Sequence, residues 1–140
     1  MNHIVNSSLL IDDDKATTFF NRYLLLKHKA FKNVKTLHKG KDAIEYLKNI
    51  DHKLNLKPDL IFLDINMPLM NGWDFLEKFA QLKDEVIDGI KIVMLSTSTD
   101  PNDIQRAIEN RFVSDFVNKP LTISIIDKVV HKHFSYKIAR

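Results

Sequence analysis

The stretch LIFLDINMPLMNGWDF, residues 60–75, decides the fold because it joins a buried strand to a helix through a polar turn. Its first four residues are all apolar, and such a short run is typical of a strand that is buried on both faces. A lone carboxylate, Asp64, follows at the expected end of the strand. Pro68 and the pair Asn71-Gly72 then turn the chain. The stretch therefore predicts a strand that carries Asp64 at its carboxyl end.

The composition is that of a single globular domain. The chain has 140 residues, 44% hydrophobic and 28% charged, which is enough for one domain with its own core. No apolar run approaches the roughly 20 residues that cross a bilayer, and the N-terminal MNHIVNSS lacks the features of a signal peptide. The absence of cysteine excludes disulfide and thiolate chemistry and agrees with a cytoplasmic protein. We therefore expect a cytoplasmic domain with no membrane partner.

The formal net charge of +3 raises the question of a nucleic-acid partner. The lysines are scattered, with a local surplus between Lys27 and Lys41, and no basic motif interleaved with aromatic residues is present. This distribution favours a mildly basic solvated surface over a nucleic-acid site.

Short apolar runs alternate with longer segments of helical periodicity. The predicted strands cover residues 8–11, 34–37, 60–63, 90–95 and 116–117. Five apolar stripes at helical spacing accompany them: Ala16, Phe19, Phe20, Tyr23 and Leu24; Ala43, Ile44 and Leu47; Phe75, Leu76, Phe79, Ala80 and Leu82; Ile104, Ala107 and Ile108; and Ile125, Ile126, Val129, Val130, His133 and Phe134. This alternation predicts an α/β protein with a doubly wound, five-stranded parallel sheet and helices on both faces.

Polar residues follow the first, third, fourth and fifth predicted strands. They are Asp12-Asp13, Asp64, Ser96-Thr97 and Asn118-Lys119. In a parallel α/β sheet the functional crevice lies at the carboxyl ends of the strands. We therefore expect these residues to meet at one edge of the sheet. Asp14, Asp100 and Thr122 are predicted to cap the helices that follow them.

Three neighbouring carboxylates repel one another unless a cation lies between them. Oxygen ligands suit Mg²⁺ (or Mn²⁺). Asp13 and Asp64 are expected to bind the ion directly, Asp12 directly or through water, and a backbone carbonyl near Asn66 to add a further oxygen. A metal, an ammonium at Lys119 and a hydroxyl at Ser96 together indicate phosphoryl transfer. Asp64 is the best-placed nucleophile.

Four motifs, LLIDDD, LIFLDINMPLMNG, VMLSTS and FVNKP, occur in this order. Together they resemble the receiver domain of two-component response regulators, in particular the single-domain, chemotaxis-type receivers with a flavodoxin-like fold. The resemblance covers a core of about residues 8–134 within one domain over residues 1–140. It implies five βα units and the strand order 2-1-3-4-5.

The resemblance also assigns roles to the residues at the sheet edge. Asp64 would accept a phosphoryl group from the phosphohistidine of a sensor histidine kinase or a histidine phosphotransfer protein. Asp13 would bind Mg²⁺ directly and Asp12 mainly indirectly. Ser96 would hold the acyl phosphate together with Lys119.

Further positions carry implied roles in switching and in the lifetime of the phosphoryl group. Phe116, with Ser96, matches the conformational switch, and Asn66 and Ser98 match the positions that tune dephosphorylation. Thr97 stands where a smaller residue is usual, which narrows access to the phosphoryl-binding site. Lys119-Pro120 matches a cis peptide bond. Asn110 replaces the glycine that usually ends the preceding helix and is expected to be a left-handed cap.

The implied function is that of a stand-alone signalling protein and not of an enzyme. A separate output protein would bind the face formed by the fourth predicted helix, the fifth strand and the fifth helix, or the phosphoryl group would be relayed. The protein itself is expected to be a monomer or a weak homodimer.

Two alternatives remain open. A pseudo-receiver would keep the fold as an interaction module without carrying phosphate. An Asp-nucleophile phosphatase is the other, because Asp64-Ile65-Asn66 resembles the DxD motif of haloacid-dehalogenase-type hydrolases, although the following Met-Pro fits that motif poorly. A flavin carrier on the same fold is rejected because three carboxylates in the first loop repel phosphate.

Overall fold

A computed structural model describes residues 3–50, 55–97 and 100–138 of the chain. The strands are Val5–Ile11 (β1), Phe31–Leu37 (β2), Leu60–Asp64 (β3), Lys91–Ser96 (β4) and Val113–Asn118 (β5). The helices are Lys15–Lys27 (α1), Gly40–Lys48 (α2), Gly72–Phe79 (α3), Asp84–Ile87 (α4), Pro101–Glu109 (α5), Ile123–His133 (α6) and Ser135–Ile138 (α7). The short α4 and α7 were not predicted, so the fourth and fifth predicted helices correspond to α5 and α6. Within the described residues, no helix is both long and apolar enough to cross a membrane.

All five strands are parallel, and their order in the sheet is β2-β1-β3-β4-β5. The predicted order 2-1-3-4-5 is therefore confirmed. Two apolar clusters cover the two faces of the sheet. One cluster joins the sheet to α2, α3 and α5 through residues such as Ala43, Phe75 and Ala107. The other joins it to α1 and α6 through residues such as Leu25 and Ile126.

The first strand is longer than predicted because its polar residues are paired. It begins at Val5, and both Ser7 and Ser8 are buried within it. The Asp59 carboxylate accepts hydrogen bonds from the backbone N–H groups of Asn6 and Ser7, at 3.0 and 3.1 Å. Satisfied polar groups can be buried at little cost. A prediction based on runs of apolar residues therefore made β1 too short.

The apolar stripe predicted on α1 lies mostly at the surface and not in the core. The residues of α1 that the structure buries are Thr18, Asn21, Leu24 and Leu25. In contrast, Phe19, Phe20 and Tyr23 are 78%, 53% and 55% exposed. The Thr18 hydroxyl bonds to the backbone carbonyls of Asp14 and Lys15. Because that hydroxyl is satisfied, a polar residue can face the sheet and the aromatic residues turn outward.

The stripe predicted for α5 is also mostly exposed. Ala107 is buried, but Ile104 and Ile108 are 38% and 72% exposed. The expected left-handed cap at Asn110 is wrong as well, because its φ of −86° and ψ of 118° are extended. Its side-chain oxygen instead accepts a hydrogen bond from the N–H of Phe112 at 2.9 Å, so the side chain provides the turn that glycine would otherwise provide. The caps predicted at Asp14, Asp100 and Thr122 are confirmed; they are shown by side-chain hydrogen bonds to the helix N-termini.

Candidate functional site

The register of the sheet brings four strand ends to one edge. Ile11 of β1 lies beside Leu63 of β3, so that Asp12 follows its strand at the level of Asp64. Asp64 in turn pairs with Leu95 of β4. The backbone N–H of Lys119 donates to the carbonyl of Ser96 at 2.8 Å. The predicted meeting of polar residues at this edge is therefore observed.

Three carboxylates form a compact cluster at this edge. Each of Asp12, Asp13 and Asp64 offers one oxygen atom that lies within 4.8 Å of the other two. Asp12 and Asp64 are both only 4% exposed, whereas Asp13 is exposed. One oxygen of Asp12 accepts the N–H of Asp14 at 2.9 Å, which orients that carboxylate. The cluster presents one open side, at Asp13.

A single ammonium group joins the two buried acids. The Nζ atom of Lys119 lies 2.9 Å from Oδ2 of Asp12 and 3.0 Å from Oδ1 of Asp64. The peptide bond from Lys119 to Pro120 is cis, as predicted. Both contacts are charge-assisted hydrogen bonds, which are among the stronger polar contacts in proteins.

The environment of the site perturbs the pKa values of Asp64 and Lys119. Burial raises the pKa of Asp64, and the negative charge of Asp12 adds to this; the hydrogen bond from Lys119 opposes it without cancelling it. Burial alone would lower the pKa of Lys119, but its hydrogen bonds to Asp12 and Asp64 outweigh that effect and raise it. Both pKa values are raised because carboxylates outnumber the ammonium group in a site that water solvates poorly.

The donor set fits a small hard dication. All three clustered side chains are carboxylates, and such oxygen ligands suit Mg²⁺ and Mn²⁺ better than they suit softer metals. The single Lys119 ammonium can balance only one of the three carboxylate charges of the cluster. A dication at the open side, next to Asp13, would supply the missing positive charge.

Gly72 fixes the backbone behind Asp64. Its N–H donates to the carbonyl of Ile65 at 2.7 Å. A Cβ atom at this position would lie 2.9 Å from the Asp64 carbonyl oxygen and 2.9 Å from the Cα of Ile65. The close approach therefore requires glycine, and it sets where β3 ends.

The remaining predicted residues lie around this centre in different environments. Ser96 is fully buried at the end of β4, and Thr97 follows it at the surface. Asn66 is exposed, two residues after Asp64, and its N–H supports the Asp64 carboxylate. Phe116 is half-buried on β5, beside Met94 of β4. Ser98 lies outside the described residues.

Sequence reasoning missed an apolar surface beside the acidic cluster. A cavity of about 330 Å³ lies between α1 and the loop after β5 and is lined by Ala16, Thr17, Phe20, Lys119 and Pro120, among others. The exposed ring of Phe20 therefore borders the same cavity as the lysine of the site. The apolar stripe itself was visible in the sequence, but its outward direction was not.

A second missed feature lies next to Phe116. The Asp115 carboxylate is 2.8 Å from Nε2 of His133 and 3.5 Å from Nζ of Lys132. It also accepts a hydrogen bond from the N–H of Phe116. The sequence separates these residues by a turn and most of a helix, so only the packing of α6 on β5 reveals the cluster.

Comparison with known proteins agrees with this geometry. Residues 9–131 match the sequence profile of the response regulator receiver domain. The chain is 27% identical to the "Probable methanogenesis regulatory protein FilR2" of Methanothrix harundinacea over 91% of its own length and 81% of that protein. It is 33% identical to the "Response regulator protein VraR" of Staphylococcus saprophyticus over 69% of its own length, but spans only 41% of VraR.

A solved structure shows the same architecture. The structure of a two-component response regulator from Cytophaga hutchinsonii superposes with a TM-score of 0.83 at 30% identity, covering 91% of this chain and 96% of that one. The parallel sheet of order 2-1-3-4-5, the acidic strand ends and the matched profile agree. The chain therefore belongs to the response regulator receiver domain family of two-component signalling.

Proposed function

We propose that this receiver takes a phosphoryl group onto Asp64 from the phosphohistidine of a sensor histidine kinase or a histidine phosphotransfer protein. The observation that carries the proposal is the placement of Asp64. Its carboxylate is held at the end of β3, within reach of both the Lys119 ammonium and the carboxylates of Asp12 and Asp13. No other acid of the cluster is both at a strand end and backed by a glycine.

The proposed step exchanges one bond to phosphorus for another. A carboxylate oxygen of Asp64 forms a P–O bond while the P–N bond of the phosphohistidine breaks. The electron pair of that bond stays on the imidazole nitrogen, which takes up a proton as it leaves. The product is an acyl phosphate, and the added charge must be neutralised locally because the site is buried.

Two hydrogen-bond donors of the chain can stabilise the added charge, one cationic and one neutral. Lys119 already contacts the Asp64 oxygen and can instead pair with a phosphoryl oxygen once Asp64 is phosphorylated. Ser96, buried at the neighbouring strand end, is proposed to donate its hydroxyl to another phosphoryl oxygen, with Thr97 beside it at the entrance. Asn66 and Ser98 are proposed to tune hydrolysis of the acyl phosphate.

Mg²⁺ or Mn²⁺ is proposed to be held directly by Asp13, Asp64 and the backbone carbonyl of Asn66. Asp12 would contribute mainly indirectly. The bound ion would supply positive charge to the phosphoryl oxygens. The three carboxylates of the cluster would otherwise repel an incoming phosphoryl group. Dependence of the reaction on the metal follows from this charge balance.

The proposed response to phosphorylation involves Phe116. Its ring lines a cavity of about 310 Å³ between α5 and β5, together with Ile104, Ile108 and Lys132. This space can accept a different rotamer of a half-buried ring. Ser96 and Phe116 lie on neighbouring strands, so that a movement of the Ser96 hydroxyl towards a phosphoryl group can favour one rotamer. A separate output protein, or a relay partner, would read the change.

The proposed docking surface for the phosphodonor is the outer face of α1. Phe20 borders the cavity that Lys119 also lines, and Phe19 and Tyr23 extend this apolar face along the helix. Exposed aromatic residues clustered beside a reactive group are typical of a protein-binding surface. A donor that packs there brings its phosphohistidine towards Asp64.

We propose a stand-alone receiver, with residues 1–140 as one domain around a core of about residues 8–134, acting in the cytoplasm without nucleic-acid or membrane partners and as a monomer or weak homodimer. The protein is proposed to act by phosphotransfer and self-dephosphorylation alone, without turnover of a substrate.

Intact-mass spectrometry after incubation with phosphoramidate and Mg²⁺ tests the proposal. The expected result is a gain of one phosphoryl group, which is lost in Asp64→Asn and in the presence of a chelator. Absence of any gain, under conditions that phosphorylate another receiver, would support the pseudo-receiver alternative. Continuous release of phosphate from a phosphate ester would support the phosphatase alternative.

A further inference from the structure

A groove between α3 and α5 lies outside the phosphorylation site and has an unusual lining. Its volume is about 350 Å³, and its walls include Trp73, Leu76, Glu77, Arg106, Arg111 and Phe112. Leu76 and Trp73 are buried, whereas both arginines are exposed. The groove thus combines an apolar floor with guanidinium groups at its rim.

Both guanidinium groups lie against aromatic rings. The Cζ of Arg106 is 4.5 Å from the ring centroid of Trp73, and the Cζ of Arg111 is 4.5 Å from that of Phe112. Such stacking holds an arginine in place while its N–H groups remain available at the edge of the plane. The stacking therefore holds two groups of hydrogen-bond donors at the groove, and the Arg106 guanidinium reaches from α5 to the Trp73 ring of α3.

These two arginines have no acidic partner within the part of the chain that the structure describes. None of the ion pairs of the described residues, taken to 4.0 Å, includes Arg106 or Arg111. Glu77 lines the same groove from α3 but does not pair with either. The positive groups therefore come from α5 and the following turn, and the single acidic group of the lining, Glu77, comes from α3.

We propose that this groove binds an acidic segment of a partner protein that inserts an apolar side chain. The apolar side chain would lie against exposed Ala80 and the uncovered edge of half-buried Phe112, which line the same groove. Carboxylates of the segment would pair with Arg106 and Arg111. Arginine pairs of this kind recognise carboxylates in two-point geometry. The groove is open along the surface, so it fits an extended peptide better than a small molecule that needs an enclosed pocket. Glu77 lines the same groove and would repel a carboxylate of the segment placed beside it.

The binding does not depend on phosphotransfer and is measured on the full-length, unphosphorylated protein. Trp73 is the single tryptophan of the chain, so its fluorescence reports on this groove directly. The probe is a terminally blocked peptide of alternating leucine and glutamate residues. Its control carries glutamine in place of every glutamate. We expect a saturable change in emission with the acidic peptide and binding at least about tenfold weaker with the control, since charge-assisted pairs are lost.

Variants separate the groove from the general positive charge of the surface. Arg106→Gln and Arg111→Gln should each weaken binding about fivefold, and Glu77→Gln should strengthen it, as expected for partly solvated charge pairs. Lys41→Gln removes the same charge from an exposed position elsewhere and should change affinity less than about twofold. Chemical-shift changes at the amides of Ala80 and Phe112 check the location in every variant. Equal effects of the arginine and Lys41 variants, equal binding of the glutamine peptide, or shift changes confined to other surfaces would overturn the proposal.

Discussion

The Nζ atom of Lys119 lies 3.0 Å from Oδ1 of Asp64, although 54 residues separate the two in the sequence. The same ammonium lies 2.9 Å from Asp12, so one cation neutralises part of the charge of two buried carboxylates. Phosphorylation of Asp64 would require this ammonium to exchange a carboxylate oxygen for a phosphoryl oxygen. The pair therefore connects the stability of the resting protein with its reaction.

Lys119→Gln should destabilise the metal-free protein by about 1–3 kcal/mol. Removing one partner of a buried ion pair leaves the remaining carboxylates uncompensated, and the 19% exposure of the Lys119 side chain moderates the loss. Mg²⁺ should reduce the difference, because the ion supplies the missing charge. Urea unfolding with and without Mg²⁺ measures this, with Lys128→Gln as a surface control. An unchanged free energy of unfolding without metal would contradict the assigned role of the ammonium.

Gly72→Ala should lower the free energy of unfolding by about 2 kcal/mol or more, because the added methyl group overpacks against backbone. The new Cβ would lie 2.9 Å from the Asp64 carbonyl oxygen and from Ile65. Phosphorylation by phosphoramidate should slow as well, since the end of β3 must move. Gly89→Ala is a useful comparison: no atom lies within 4 Å of its Cβ position, but its φ of 82° is strained for alanine. That variant should lose stability without losing the phosphorylation rate.

The sequence predicts the acidic site but not the exposed aromatic face of α1. The acids and Lys119 were predictable because each follows a short apolar run, and parallel strands gather their carboxyl ends at one edge. The outward direction of Phe19 and Tyr23 was not predictable. A helical stripe shows which residues share a face, but not whether that face meets the sheet. That choice depended on Thr18, whose hydroxyl is satisfied by backbone carbonyls.

Polar contacts between residues far apart in the chain explain the other features that the sequence did not predict. The pairing of Asp59 with the N–H groups of Asn6 and Ser7 makes a polar segment part of β1. The contact of Asp115 with His133 depends on how α6 packs against β5. Neither contact leaves a periodic pattern in the sequence, because the partners are far apart along the chain.

The Asp115 cluster should give the protein a specific acid sensitivity. Burial would raise the pKa of Asp115, but the hydrogen bonds from His133 and from the N–H of Phe116, with the charge of Lys132, lower it below its ordinary value of 3.8. A carboxylate with a lowered pKa contributes stability above its ordinary pKa, and this contribution is lost as the pH falls through the folded value. Asp115→Asn should therefore cost about 1 kcal/mol at neutral pH and progressively less below pH 3.8.

Urea unfolding across this acid range measures the effect, with Glu109→Gln as an exposed control. A difference between Asp115→Asn and the unsubstituted protein that stays constant from neutral to strongly acidic pH would show that the carboxylate does not act through its charge.

Substitutions on the outer face of α1 should slow phosphorylation by a protein phosphodonor but not by a small-molecule phosphodonor. Tyr23→Ser should slow phosphotransfer from a phosphorylated histidine kinase about tenfold, because an exposed aromatic anchor contributes about 1–2 kcal/mol to an interface. Phosphorylation by phosphoramidate should be unchanged. Tyr136→Ser is the matched control, since Tyr136 is 60% exposed, similar to the 55% of Tyr23, but lies on α7. Equal slowing by both variants would argue against docking on α1.

The identity of the phosphorylated residue tests the central claim most directly. Borohydride reduces an aspartyl phosphate to homoserine, and peptide mass spectrometry then locates the modified position after treatment with phosphoramidate and Mg²⁺. The account predicts homoserine at position 64 alone, and none when Mg²⁺ is chelated. Homoserine at position 12 or 13, or unmodified acids throughout the cluster, would contradict it.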